Sequence, residues 1–170
     1  MATILSAAAE PVSFTLGSYT VRFDLNTTDE HKVVIAKPYY SATFSGILYT
    51  GYGAQVLQVE PPHSLVTVVI MQYKRPINLG SEDSTTKRLL SDNGGCKEVA
   101  TTERVIDGHQ GYLTTSGECK NSTQGYVAQY LLDDIKGSGK VECLIASTYP
   151  WGNGTSSMLN TIHIVKQPGL

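Results

Sequence analysis

Apolar and polar positions alternate along most of this chain, and that pattern predicts strands far more often than helices. Phe14, Leu16, Tyr19, Val21, Phe23 and Leu25 recur with period two around a break at Gly17-Ser18. This predicts two short strands or one bent strand. Asn26 to Glu30 is a polar turn, and Lys32 to Ala36 is a strand closed by Pro38. Phe44 to Tyr52 and Ala54 to Val59 carry further β signal, rich in Tyr and Val, and Pro61-Pro62-His63 is a turn. Leu65 to Tyr73 reads L-V-T-V-V-I-M-Q-Y. It is apolar on both faces at several positions, as expected of a central strand covered on both sides.

Ser81 to Leu90 changes character. Ser81 or Asp83 can cap a helix, and Asn93-Gly94-Gly95 is a stop. A meander follows: strands over Lys97 to Ile106, Gly111 to Gly117, Gly125 to Leu132 and Val141 to Thr148. They are joined by a turn at Asp107-Gly108-His109, a polar loop from Cys119 to Gln124 and a turn from Asp133 to Lys140. A second helix is predicted over Thr155 to Ile162, with Thr155 as its N-cap and Met158 and Leu159 as its apolar contacts.

The meander bears on sulfur. Cys96, Cys119 and Cys143 are an odd number, and no pair has the C-x-x-C spacing of a zinc or thioredoxin site. If Ile106 pairs with Gly111, Cys96 lies opposite Asn121 and Cys119 opposite Glu98. The two cysteines are then slightly offset across one ladder, and a loose hairpin end closes that gap. Cys143 pairs near Gln129, inside the sheet. A Cys96–Cys119 disulfide with Cys143 free and buried is therefore expected, and Cys96–Cys143 is the rival pairing.

Composition narrows the class. One domain with a sizeable core fits 170 residues. Met1 to Pro11 is expected as a flexible N-terminal segment and 12–167 as the single domain. Charged residues make up only 16% of the chain, below the usual quarter of a globular domain. Ser, Thr, Asn and Gly supply the polar surface instead, which points to an extracellular or cell-surface protein. Asn26, Asn121 and Asn153 each open an N-glycosylation triplet at an expected turn. The N-terminus is Ala-rich without Lys or Arg and lacks the parts of a complete signal peptide. The mature part of an exported protein is the preferred reading, and an ordinary cytosolic start is the rival. A net charge of −2 gives no footprint for nucleic acid, and no apolar run is long enough for a membrane span.

Candidate chemistry is sparse. Asp29 and His31 fall on one face of an extended segment and are candidates to share a metal, although a solvated turn is the preferred reading. His31, His63, His109 and His163 have no zinc-hydrolase spacing, and no G-x-S-x-G elbow is present. Cys143, in an apolar strand, is expected to be inert. Asp133-Asp134 and Glu82-Asp83 are paired acids beside turns or caps. The ten tyrosines stand out. Tyr39, Tyr40, Tyr49 and Tyr52 cluster, and such rings suit a contact surface. Trp151 beside Tyr149 is a second candidate anchor, with packing at the sheet corner as its plain alternative. No cofactor is expected.

Three segments carry a family resemblance: G-S-Y-T-V-R-F-D-L-N at 17–26, E-R-V-I-D-G-H-Q-G at 103–111, and S-T-Y-P-W-G-N-G-T-S-S-M-L-N-T-I-H-I at 147–164. They resemble a family of small exported proteins of methanogenic archaea, which is similar in turn to the PsbP/Mog1-like fold. The resemblance implies an α/β/α sandwich around an antiparallel sheet. It also implies an accessory or binding protein rather than an enzyme. The resulting expectation is an exported, non-catalytic binding module with a protein or cell-surface partner. The alternatives are a small hydrolase or isomerase with an acid/His cleft, and a metal-responsive module.

Overall fold

The computed structural model describes residues 11–80, 86–87, 95–120 and 125–169. Its elements are nearly all strands: β1 (Val12–Leu16), β2 (Tyr19–Phe23), β3 (His31–Ile35), β4 (Tyr39–Ala42), β5 (Leu48–Gln58), β6 (Leu65–Asn78), β7 (Ala100–Ile106), β8 (His109–Thr115), β9 (Tyr126–Leu131), β10 (Ser138–Ser147) and β11 (His163–Lys166). A π-type turn over Trp151–Thr155 leads into the one short helix named among the described residues, α1 (Ser156–Thr161).

These strands form two sheets. The larger has the order β3-β5-β6-β10-β9-β8-β7, with β4 also beside β5. It consists of two antiparallel meanders joined where β6 pairs with β10. The smaller sheet, β1-β2-β11, joins the N-terminal hairpin to the C-terminal strand. Its inward residues Phe14, Val21, Phe23 and Ile164 share one core with Val56, Val68, Ile70, Ala128 and Ile145 of the large sheet and Met158 and Leu159 of α1. Burial of those apolar faces holds the two layers together. The other face of the large sheet carries a second cluster built on Met71, Tyr73, Ile77, Leu79 and Leu131.

The expected α/β/α sandwich is therefore corrected to a β-rich, two-sheet architecture. The layer expected to be helical is mostly a three-stranded sheet. β11 follows α1 immediately and pairs with β2 from the far end of the chain, through His163↔Arg22 to Lys166↔Tyr19. Four residues of alternation are too few to announce a strand when the partner lies so distant in sequence. The helix expected over 81–90 falls mostly outside the described residues, and Thr86 and Lys87 within it are helical.

Most expected strands are present, with shifted bounds. β5 starts at Leu48, later than Phe44, because the Tyr39–Ala42 pairing with it puts a turn at Thr43 to Ile47. The β7–β8 register also differs from the expected one. Ile106 pairs with His109, not Gly111. Asp107 and Gly108 both have positive φ, 51° and 77°, so they form the two-residue hairpin turn that an Asp-Gly pair favours. The whole ladder slips by two residues as a result, and Cys96 comes directly opposite Cys119. Cys143 pairs with Tyr130, one position from the expected Gln129.

The Tyr149–Thr155 corner is built by hydroxyls rather than by a cap. Thr155 makes no capping bond to α1, contrary to expectation. Its buried Oγ1 donates to the Tyr149 carbonyl at 2.6 Å and lies 2.8 Å from Ser147 Oγ, which accepts from the Tyr149 amide. Turning the side chain inward in this way satisfies a polar group that would otherwise be buried without a partner. Gly154 has a φ of 145°. A Cβ there would meet the Tyr149 ring at 2.7 Å, so the close approach requires glycine.

Candidate functional site

A line of aromatic rings runs from the open edge of the large sheet to a buried carboxylate. β4 and β3 both pair with β5 on its outer side, separated by Ala36-Lys37-Pro38. Every residue of β4 is exposed. Tyr39 lies opposite Gly51, and its ring occupies the space a Cβ on that glycine would need. The Tyr39 ring meets Tyr49 edge-on at 6.2 Å, and Tyr49 tilts against Tyr73 at 5.3 Å. Tyr73 Oη donates to Glu142 Oε2 at 2.6 Å, and Gln129 Nε2 donates to Glu142 Oε1 at 2.9 Å. Glu142 is 1% exposed and Gln129 2%. Burying a carboxylate is costly unless donors meet it, and here both oxygens are met.

Tyr49, Tyr73, Gln129 and Glu142 line a half-open pocket of about 300 Å³ together with Phe44, Met71, Thr86 and Leu144. Among the described residues Gln129 Oε1 has no hydrogen-bond partner. The pocket floor is polar and its walls are apolar. Phe44 of this pocket is 76% exposed, and elsewhere along the same side of the sheet Tyr40 (83%), Leu48 (59%) and Ile35 (55%) are exposed. Glu142 and Gln129 were not among the expected site residues. The signal was present as single polar residues in the apolar runs V-E-C-L-I and V-A-Q-Y-L.

The expected tyrosine cluster divides between the two faces. Tyr39 and Tyr49 share the pocket face at the open edge, while Tyr40, opposite Thr50, alternates to the other face and is 83% exposed. Tyr52 packs against the main core on the opposite face, beside Gly17. Trp151 is half-buried against the same core, with Tyr126 at 5.3 Å and the Arg104 guanidinium 5.2 Å from its ring. It is part of the corner packing rather than of the tyrosine edge.

Asp29 and His31 do not converge with further ligands. Asp29 Oδ2 accepts from Gln58 Nε2 at 2.9 Å, and His31 sits on β3 opposite Gln58. Among the described residues no group of three or more His, Cys, Asp or Glu is placed to hold a metal ion. His63 lies 3.4 Å from the Gln58 carbonyl, and His109 stacks on Tyr130. His163 Nδ1 meets Asp107 at 2.8 Å, but the imidazole is exposed and lines none of the cavities described here. Asp133 serves its own turn, accepting from the Lys140 and Val141 amides. Glu82 and Asp83 lie outside the described residues.

Cys96 and Cys119 form a disulfide and Cys143 is a free, buried cysteine. Burial is the leading cause that pushes the Cys143 thiol well above its ordinary range, so the reactive thiolate is disfavoured. Of the three glycosylation candidates, Asn26 is exposed at a turn after β2, with φ of 50°. Asn121 lies outside the described residues. Asn153 belongs to the turn before α1. No described helix is long and apolar enough to cross a membrane.

No protein-family model matches the chain, and searches of curated proteins and solved structures found no significant match.

Proposed function

We propose that this is an exported, non-catalytic binding module that takes a protein partner on the β3–β4 edge of its large sheet. The observation that carries the reading is the exposure of Ile35, Tyr40, Phe44 and Leu48 along one edge. Large apolar side chains left exposed along one side of a sheet suit an interaction surface. Among the described residues no strand pairs with the outer side of β4, and such a strand edge is the usual template for an added strand. The disulfide favours an oxidising compartment, as do the low charge and the exposed Asn26 triplet.

The acid/His-cleft alternative finds less support. The buried acid Glu142 has no histidine among its pocket's lining residues, and the acid paired with a histidine, Asp107, lies elsewhere. The metal-responsive alternative rests on an Asp29 already engaged by Gln58.

A photo-crosslinking side chain placed at position 40 tests the reading on the surface of the native cells. Position 135, also exposed but on the β9–β10 turn, is the control. The proposal expects one discrete protein adduct from position 40 and none from 135. Equal labelling from both positions, or none from 40, contradicts it.

A further inference from the structure

A second pocket lies away from the aromatic edge. It has a volume of about 350 Å³ and sits where the 24–30 loop meets the Pro61-Pro62 turn and the Tyr149-Pro150 corner. Its polar lining is Asn26, Thr27, Asp29, Gln58 and Ser64. Its apolar walls are Pro62, Pro150 and Tyr149.

The polar groups are already held in place. Gln58, itself 7% exposed, donates to Asp29 Oδ2 at 2.9 Å and accepts from the Ser64 amide at 3.2 Å. Asp29 is itself exposed. The Tyr149 hydroxyl is buried with no hydrogen-bond partner among the described residues, in a residue only 3% exposed. Its phenol is pushed upward, first by burial and then by the Asp29 charge. A buried hydroxyl without a partner beside a polar pocket is a group that a ligand or ordered solvent can satisfy.

We infer that this pocket is a saccharide subsite that takes one pyranose ring. A sugar ring presents hydroxyls around its rim and C–H faces above and below. The first suit Asp29, Asn26 and Gln58, and the second suit the two prolines and the tyrosine ring. The placement of Asn26 strengthens the assignment. It opens the Asn26-Thr27-Thr28 triplet, it is exposed, and it lines the pocket. The same chemistry therefore has two possible sources: the first sugar of a glycan carried on Asn26, or a free saccharide. Only the attached source depends on the exported reading. No residue of β4 lines the pocket, so failure here leaves the edge proposal standing.

Three forms of the full chain test it: wild type secreted from a glycosylating host, Thr28→Ala from the same host, and wild type from a non-glycosylating host. Thr28 does not line the pocket, so the Thr28→Ala form removes the triplet and keeps the site. Peptide mapping reads occupancy of Asn26, and NMR of the Tyr149 ring and the Gln58 side-chain amide reads the pocket. The attached source predicts a glycan on Asn26 in the first form only, with both signals shifted relative to the other two. The free source predicts saturable shifts of the same signals when the unglycosylated protein is titrated with N-acetylglucosamine, and at least tenfold weaker binding in Asp29→Ala. If neither treatment moves Tyr149 or Gln58, the inference is overturned, even where Asn26 carries a glycan.

Discussion

Cys96 and Cys119 stand directly opposite one another across an antiparallel pair, with Cα atoms 3.9 Å apart. The Lys97 amide donates to the Glu118 carbonyl at 2.8 Å on one side of the pair, and the Lys120 amide to the Gly95 carbonyl at 3.4 Å on the other. The cysteines thus occupy a non-hydrogen-bonded position, where side chains approach most closely. The Asp107-Gly108 turn at the far end of the hairpin sets that alignment.

Closing a loop of sequence separation 23 restricts the unfolded chain, so Cys96→Ala/Cys119→Ala should lose ~3 kcal/mol in urea unfolding. Thiol titration should find no reactive thiol in the native protein and one, Cys143, after unfolding. Three thiols in freshly purified native protein would contradict the pairing.

Glu142 is held by Tyr73 and Gln129 at the floor of the half-open pocket, with only 1% of its surface exposed. Tyr73→Phe removes one of those donors and should cost about 1–3 kcal/mol of stability. Adding Glu142→Gln should cost less than the sum of the two single changes, with a coupling of roughly 0.5–3 kcal/mol in a double-mutant cycle. Strict additivity would mean that the two groups do not support each other.

The phenols of Tyr19, Tyr39, Tyr130 and Tyr149 are all pushed above the ordinary value of 10.0, burial being the largest cause in each. The unfolded chain releases those protons near the ordinary value while the folded chain still holds them. Unfolding therefore releases protons above that pH, and stability must fall as pH rises. Below pH 10 these groups are protonated in both states and contribute no slope. Denaturant midpoints should stay unaffected by these phenols up to that point and then drop. Ultraviolet titration should show a fraction of the ten tyrosines ionising only on unfolding.

Much of the strand order was legible because each strand has one core-facing side. Phe14, Val21 and Phe23, or Val66, Val68 and Ile70, announce themselves by period two. Long-range pairing left no such trace. His163 to Lys166 became a strand only because β2 offered an edge, and that edge turned an expected helical layer into a sheet. Local turn chemistry was readable but was given one residue too many: Asp107-Gly108 is a two-residue turn, and His109 belongs to β8. At the candidate site, Tyr39, Tyr40 and Tyr49 were visible by composition. Tyr52 looked the same in sequence, and only the alternation of side chains along β5 sends it to the other face. Glu142 looked like an ordinary strand residue until Gln129 and Tyr73 were found beside it.

The edge proposal is tested most directly by the affinity of the identified partner for wild type and for Tyr40→Ser/Phe44→Ser. Both side chains are highly exposed, so the variant should unfold at a midpoint within about 0.5 kcal/mol of wild type. Binding measured by calorimetry should weaken at least tenfold. A variant that keeps its fold and binds with wild-type affinity would contradict the account.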